Sequence, residues 1–480
     1  MLEQDHRQAL QNPIFSFIEQ VCLSEKVDAF VIGGFVRDYL LNRNLPQDID
    51  VVVIGDGISF AHKVASLLPD CPKVSVFKRF GTAMINAFDA EIEFVGARKE
   101  SYASNSRKPY VESGSLEDDQ KRRDFTINAL AIQLGQQNYG KLLDPFNGLD
   151  DLKNKILKTP LDPDITYKDD PLRMLRAVRF SCQLEFFIEK ESRSAIKQNA
   201  ERLAIVSNER IIDEFHKILL SDKPSIGLKN LYETGLLAQF LPELIDLKGV
   251  DVIDGQRHKD NFWHTLQVVD NIAENTDKLW LRWSALLHDI GKAPTKRFDK
   301  KIGWTFHGHE FVGKKMVKKI FKRLKMPLNE QLHYVQKIVM LSSRPIAIVD
   351  DEVTDTAVRR LIYDAGDDID DLMTLCEADI TTKNADKKQR YLQNFKHVRK
   401  KIEEVEARDH IRNFQPPVSG NEIMETFNIS PCREVGLIKQ AIKDSILEGE
   451  IPNEYEAAKK KMFEEAEQLN LKPTNKNADV

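Results

Sequence analysis

The segment AFVIGGFVRDYL at 29–40, followed by DIDVVVIG at 48–55, constrains this chain more than any other. An apolar, β-branched stretch ends at Gly33 and Gly34, a helical pattern opens at once, and a second apolar stretch begins with Asp48, Ile49 and Asp50. Alternation along a strand sends both carboxylates to one face of a sheet. Two like charges so close are costly without a cation, and Mg2+, which favours oxygen ligands, relieves the repulsion. With two ions roughly 4 Å apart, one can activate a hydroxyl while the other neutralises charge on a leaving pyrophosphate. Amides of the two glycines can cradle phosphates where a strand turns into a helix. A DxD pair alone is common on surface turns, and a Gly-Gly pair is often only a turn. The order of strand, glycines, helix and carboxylates is what carries the reading. Glu91 and Glu93 share a face of EIEFVGA, and Glu93 is the preferred third carboxylate.

Short β-branched runs alternate with helical patterns over the first 150 residues, and from about Asp150 long periodic stretches such as LRMLRAVRF and ERIIDEFHKILL predict helices almost to the end. The fold class is α+β, an α/β head on a long helical body. At 480 residues the chain is long enough for about three domains. The boundaries are placed at 1–150 for the head, 151–254 for a helical neck and body, 255–385 for a histidine-containing module and 386–480 for a helical tail that frays at its end. No apolar run of 18 residues and no basic, apolar leader occurs, so the expectation is a cytoplasmic protein without a membrane partner. Five scattered cysteines, never in a CxxC pair, suggest neither a disulfide framework nor a thiolate zinc site.

Further along lie RRDFTINAL at 122–130 and DPFNG at 144–148. With GGFVRD and DID, these four ordered motifs resemble the class II tRNA nucleotidyltransferase and bacterial poly(A) polymerase family. The resemblance implies a polymerase-β-like nucleotidyltransferase head followed by an all-α neck, body, HD module and tail. It also implies Mg2+ at Asp48 and Asp50, tRNA as partner, and CTP and ATP as substrates. Gly33, Gly34 and Arg37 are then active-site residues. Arg123 and Asp124 contact the incoming triphosphate and sugar, with Asn128 nearby, and FTINALAI is read as a helix.

KDDPLRMLRAVRF at 168–180 is similar to the family's base-recognition helix, usually EDxxR, with Asp169 standing where Glu is usual. C and A each present an exocyclic amine donor beside a ring-nitrogen acceptor, whereas U and G present the opposite order. An accepting aspartate and a donating arginine therefore suit C and A. Asp170 and Arg173, three apart on a helix, share a face and are the candidates. Unpaired buried polar groups cost about 1–3 kcal/mol each, enough for tenfold discrimination. Arg176 and Arg179 could reach phosphates or the primer, or pair with acids of the neck. The polar stretch ARKESYASNSRKPYVESGSLEDDQKRRD reads as a mobile loop, and in the family a loop at this place accompanies the switch from adding C to adding A.

His264, His288, Asp289 and Asp379, in FWHTLQVV, LLHDIGK and LCEADIT, resemble the H…HD…D pattern of HD-domain phosphohydrolases. Imidazoles and a carboxylate from separate helices suit a divalent transition metal that activates water toward a phosphate ester. His307, His309 and His333 could add ligands, and a module that only binds RNA remains the other reading.

Net charge is −5, but from Phe311 to Leu328 the chain carries seven basic residues and no acidic one. Val312, Met316, Ile320, Phe321 and Leu324 fall on one helical face, which leaves either a solvated surface or a phosphate-contacting one. The tail VSGNEIMETF has an N-cap-like start and is read as a helical RNA-body segment.

Three functions fit the whole. CCA addition to tRNA leads, poly(A) polymerase shares every catalytic motif, and a metal phosphohydrolase with a nucleotide-sensing head is the rival of another class. Oligomeric partners are not legible.

Overall fold

The computed structural model describes residues 5–474 apart from 79–80, 102–109, 136–137, 254–255, 351–353, 383 and 413. It divides into two compact units, Met1–Pro242 and Glu243–Val480.

The first unit opens with strands β1 (Ala29–Ile32), β2 (Asp48–Val53), β3 (Ser75–Phe77), β4 (Thr82–Ala87) and β5 (Ala90–Gly96). A hairpin of β6 (Arg98–Ser101) and β7 (Tyr110–Ser113) follows, then β8 (Ala131–Gln133) and β9 (Leu142–Leu143). Among the described residues, seven of these strands form one sheet in the order β3-β4-β5-β2-β1-β8-β9. The β2–β5 pair is parallel and the rest are antiparallel. All four residues of β1 are buried, as a central strand covered on both faces requires. On β2, exposed Asp48 and Asp50 alternate with buried Ile49 and Val51. The apolar face of the sheet meets the helix Gly57–Leu67, with the Phe60 and Phe94 rings 5.8 Å apart.

FTINALAI is not a helix. Thr126–Asn128 makes one 3-10 turn, and the chain then extends into β8, which pairs with β1 through Phe30–Gln133, Val31–Ile132 and Ile32–Ala131. Every residue from Phe125 to Leu134 is buried. An unbroken apolar run fits a buried strand as well as a helix, and here the pairing edge of β1 decided. The polar stretch before it holds the β6–β7 hairpin and then the helix Leu116–Lys121, while 102–109 lies outside the described residues.

Helices dominate the rest of this unit, including Pro163–Asp169, Leu172–Gln183, Asn208–Leu219 and Pro224–Glu233. In the second unit, Asn261–Ala273, Leu279–Leu287, His309–Arg323, Glu330–Leu341 and Ile369–Ala378 surround buried Trp283 and Phe321. Arg282 is buried too, donating from Nε to the Thr276 carbonyl at 2.9 Å. Along His309–Arg323 the buried stripe is Gly313, Val317, Ile320 and Phe321, while Val312 and Met316 are only half-buried. The stripe is thus turned from the expected one, because Gly313 packs against Val339 and admits the neighbouring helix.

Long helices continue through Ala385–Asp409 to Tyr455–Gln468. Ser419 caps Gly420–Phe427 by accepting from the Glu422 amide at 3.1 Å. The expected frayed end, 475–480, lies outside the described residues. Among the described residues, no helix is long and apolar enough to cross a membrane.

Candidate active site and histidine cluster

The sheet brings the carboxylates together by register. Asp48 pairs across with Glu91 and Asp50 with Glu93, so the four share one face. Gly33 closes the same corner at φ +85°, where an added Cβ would lie 3.0 Å from Arg123 and 3.3 Å from the Asp50 carboxylate. Only glycine fits that backbone and that gap. Its amide donates to the Leu130 carbonyl at 3.3 Å, which ties the glycine turn to the segment leading into β8. Although Asp50 as a residue is open to solvent, the site crowds round its carboxyl, and this desolvation pushes it above its usual range; Arg123 opposes this and Glu93 adds to it. A crowded set of acids with one guanidinium beside it is a donor set that fits a divalent cation.

The arginines around this face are held by acids of their own. Asp119 is fully buried and accepts from both Arg122 and Arg123. It is an anchor that motif reading missed, although its place three and four residues ahead of the two arginines is the helical pairing distance. Arg37 grips Asp38 with two bonds of 2.8 Å and donates a third, also 2.8 Å, to Asn128. Asn128 donates to Asp124 at 3.0 Å, and Asp124 accepts from Arg176 at 2.6 Å. Burial opposes ionisation of Asp124, yet Arg176 and Asn128 hold its carboxyl down at about 2. The guanidinium groups of Arg37, Arg176 and Arg179 all lie against the Phe180 ring, at 4.9, 5.5 and 4.2 Å from its centre, so the π-electrons of one aromatic ring attract all three. Arg179 pairs with buried Glu214 at 3.2 Å. Arg176 and Arg179 are therefore both paired with acids.

Asp170 and Arg173 do not share a helix. Asp169 ends one helix, Asp170 is extended at φ −135° and ψ 100°, and Pro171 caps the helix Leu172–Gln183. A residue before proline is driven out of the helical region. Asp170 accepts from the Leu172 amide at 3.2 Å, and Arg173 donates to the Arg122 carbonyl. Arg173 thereby reaches the arginine pair's own backbone, while Asp170 lies 3.7 Å from Arg210. The Asp144 carboxylate of DPFNG accepts from the Gly148 and Leu149 amides at 2.6 and 3.0 Å, so this motif caps the helix Gly148–Asn154.

In the second unit, His264, His288 and Asp379 converge, each offering a ligand atom within 4.8 Å of the others. They come from Asn261–Ala273 and from the ends of Leu279–Leu287 and Ile369–Ala378. His288 donates from Nδ1 to the Ala285 carbonyl at 2.7 Å, which turns buried Nε2 inward toward the Asp289 and Asp379 carboxylates, 3.3 and 3.5 Å away. That is how a metal-ligating imidazole is held. His264 Nε2 lies 2.7 Å from Asp379 and 3.7 Å from Asp289. Burial would lower the His288 pKa, but the Asp289 and Asp379 carboxylates push it up to about 10. Burial also opposes ionisation of Asp289 and Asp379, and the imidazoles hold both below the usual range. Lys292 donates to Asp289 at 2.7 Å, and Lys259 and Thr381 meet His264 Nδ1 at 2.8 and 3.0 Å. These three supporting residues carry no motif signal beyond the lysine of HDIGK. His309 stands 3.8 Å from Asp289, whereas His307 and His333 are exposed and outside the cluster.

A family model described as "Poly A polymerase head domain" matches residues 29–158, one described as "Probable RNA and SrmB- binding site of polymerase A" matches 185–247, and "HD domain" matches 261–386. An A-adding tRNA nucleotidyltransferase of Deinococcus radiodurans is 31% identical over 356 residues, 72% of this chain and 78% of that one. A CC-adding tRNA nucleotidyltransferase of Thermus thermophilus is 29% identical over 447 residues, 90% and 92% of the two chains. In fold, the chain is similar to the crystal structure of the Bacillus stearothermophilus CCA-adding enzyme in complex with CTP, with a TM-score of 0.65, 24% identity and coverage of 95% and 99%. From its sheet-borne carboxylates to its histidine cluster, the chain belongs to the class II tRNA nucleotidyltransferase and bacterial poly(A) polymerase family, with an HD domain attached.

Proposed function

We propose that this protein adds C, C and A to the 3′ end of tRNA from CTP and ATP, without a nucleic-acid template. The observation that carries the reading is the shared face of Asp48, Asp50 and Glu93, with Gly33 and Arg123 against it. Asp48 and Asp50, with Glu93 across the strand pair, would hold Mg2+, which supplies activation of the 3′ hydroxyl and neutralisation of the leaving pyrophosphate. Arg123 stands where it can meet the triphosphate. Asp124 and Asn128, locked by Arg37 and Arg176, position the sugar.

Base selection is assigned to Asp170 and Arg173, of which Arg173 is held beside the motif arginines by its bond to the Arg122 carbonyl. Asp169, which stands where the family usually has Glu, is assigned to the same nucleotide site, one methylene shorter in reach. Such work places the protein in the cytoplasm. The four-part division at 150, 254 and 385 remains our reading of how these tasks are distributed along the chain.

Relatives that add only A or only CC favour a second reading, in which this chain performs one part of the sequence. Incubation of tRNA lacking CCA, and of tRNA ending in CC, with CTP or ATP alone decides. Two additions from CTP and one from ATP on the CC end are expected. Addition of A only would give the partial activity, and unlimited addition from ATP without use of CTP would make the protein a poly(A) polymerase.

The HD cluster is assigned phosphohydrolase activity on an RNA 3′ phosphate or cyclic phosphate. His264, His288, Asp289 and Asp379 would hold a divalent transition metal there, which supplies an activated water.

A further inference from the structure

The helix His309–Arg323 leaves the histidine cluster at His309 and presents Lys314, Lys315, Lys318, Lys319 and Lys322 to solvent. None of these five lysines pairs with a carboxylate among the described residues. Elsewhere surface cations are commonly neutralised, as in Lys63–Glu25, Lys168–Asp164, Lys278–Asp371 and Lys461–Glu465. Even Arg323, on this same helix, is taken up by Glu243. In a chain of net charge −5, an unneutralised stripe concentrates positive potential in one place.

The geometry of the stripe selects its partner. Lys314, Lys318 and Lys322 follow one another at four-residue steps, which rise about 6 Å each, close to the repeat of phosphates along an RNA strand. Phe311, at the end of the helix near the cluster, is 52% exposed and lies under the Lys315 ammonium at 4.0 Å. An exposed aromatic ring beside a basic track is the combination by which single strands are bound, base on ring and phosphates on cations. The apolar stripe of the helix is already buried against its own unit, so it has no apolar face to sink into a lipid surface.

We propose that this lysine row is a docking track for the backbone of an RNA strand whose 3′ end lies at the HD cluster. The assignment rests on the RNA-directed reading of the HD site given above. It goes beyond that reading by naming the residues that make the site act on polymeric RNA in preference to free nucleotides.

The test uses the full chain with Lys314→Gln, Lys318→Gln and Lys322→Gln combined, all at exposed positions. Binding of a short single-stranded RNA ending in a 3′ phosphate is followed by fluorescence anisotropy in chelator across a salt series. The expected result is affinity weaker by about tenfold at low salt. The salt slope should be smaller by about 2, three lost phosphate contacts at roughly 0.7 each. Unchanged affinity and slope overturn the proposal. So does loss of binding to anionic phosphatidylserine vesicles with RNA binding intact. Phosphate release from the same 3′-phosphorylated RNA, with divalent metal supplied, separates the readings: release by the parent chain with an altered RNA slope in the variant supports both, and no release by the parent chain defeats the HD reading and with it the placing of the 3′ end at the cluster.

Discussion

Asp124 has 7% of its surface exposed yet carries a charge, because Arg176, Asn128 and the Phe125 amide all donate to it. Its pKa of about 2 lies below the ordinary 3.8. The stabilisation is therefore complete above pH 3.8 and is lost as pH falls through about 2. Asp124→Asn should cost about 2–3 kcal/mol at neutral pH, toward the lower end for a buried pair because Arg176 keeps part of its side chain in water. Urea unfolding at a series of pH values checks this, and the gap between parent and variant should close on acidification. The sequence motif marked Asp124 for its nucleotide contact. That it is also the knot between Arg37, Asn128 and Arg176 depends on residues distant along the chain, which spacing does not reveal.

At the scale of elements, the pair Arg179–Glu214 joins the helices Leu172–Gln183 and Asn208–Leu219. Both side chains are nearly inaccessible, so removing one charge strands the other in the interior. Glu214→Gln should destabilise the first unit by about 3 kcal/mol. Replacing both residues with methionine should cost less than the single change, measured by the same urea unfolding. Both helices were legible from their 3.6-residue periodicity. The break at Asp170 was legible in principle, since Pro171 forbids a continuous helix, but the motif's conventional description as one helix hid it. β8 was not legible, because Ala, Leu and Ile serve a buried strand and a buried helix equally and only the open edge of β1 chose between them.

Across the whole molecule, two chemically distinct sites sit in separate compact units. Under the proposed function, Asp48→Ala with Asp50→Ala should abolish nucleotide addition and leave the proposed HD phosphohydrolysis at the parent rate, and His288→Ala should do the reverse. Chelation should stop both activities, with Mg2+ restoring the first and a transition metal the second. These outcomes are read by primer extension and by phosphate release.

The sequence by itself determined the α+β class, the order of head and helical body and the carboxylate strand, because strand alternation and helical period are local properties, and its H…HD…D set was legible through its resemblance to HD-domain proteins. Only the tertiary structure decided that Glu93 stands across from Asp50, that Gly33 must leave room for Arg123, and that Asp119 holds both motif arginines. It alone brought Arg37, Arg176 and Arg179 onto one aromatic ring. Strand register, close packing and the pairing of buried charges join residues far apart in the chain, and no local pattern encodes which of them will meet.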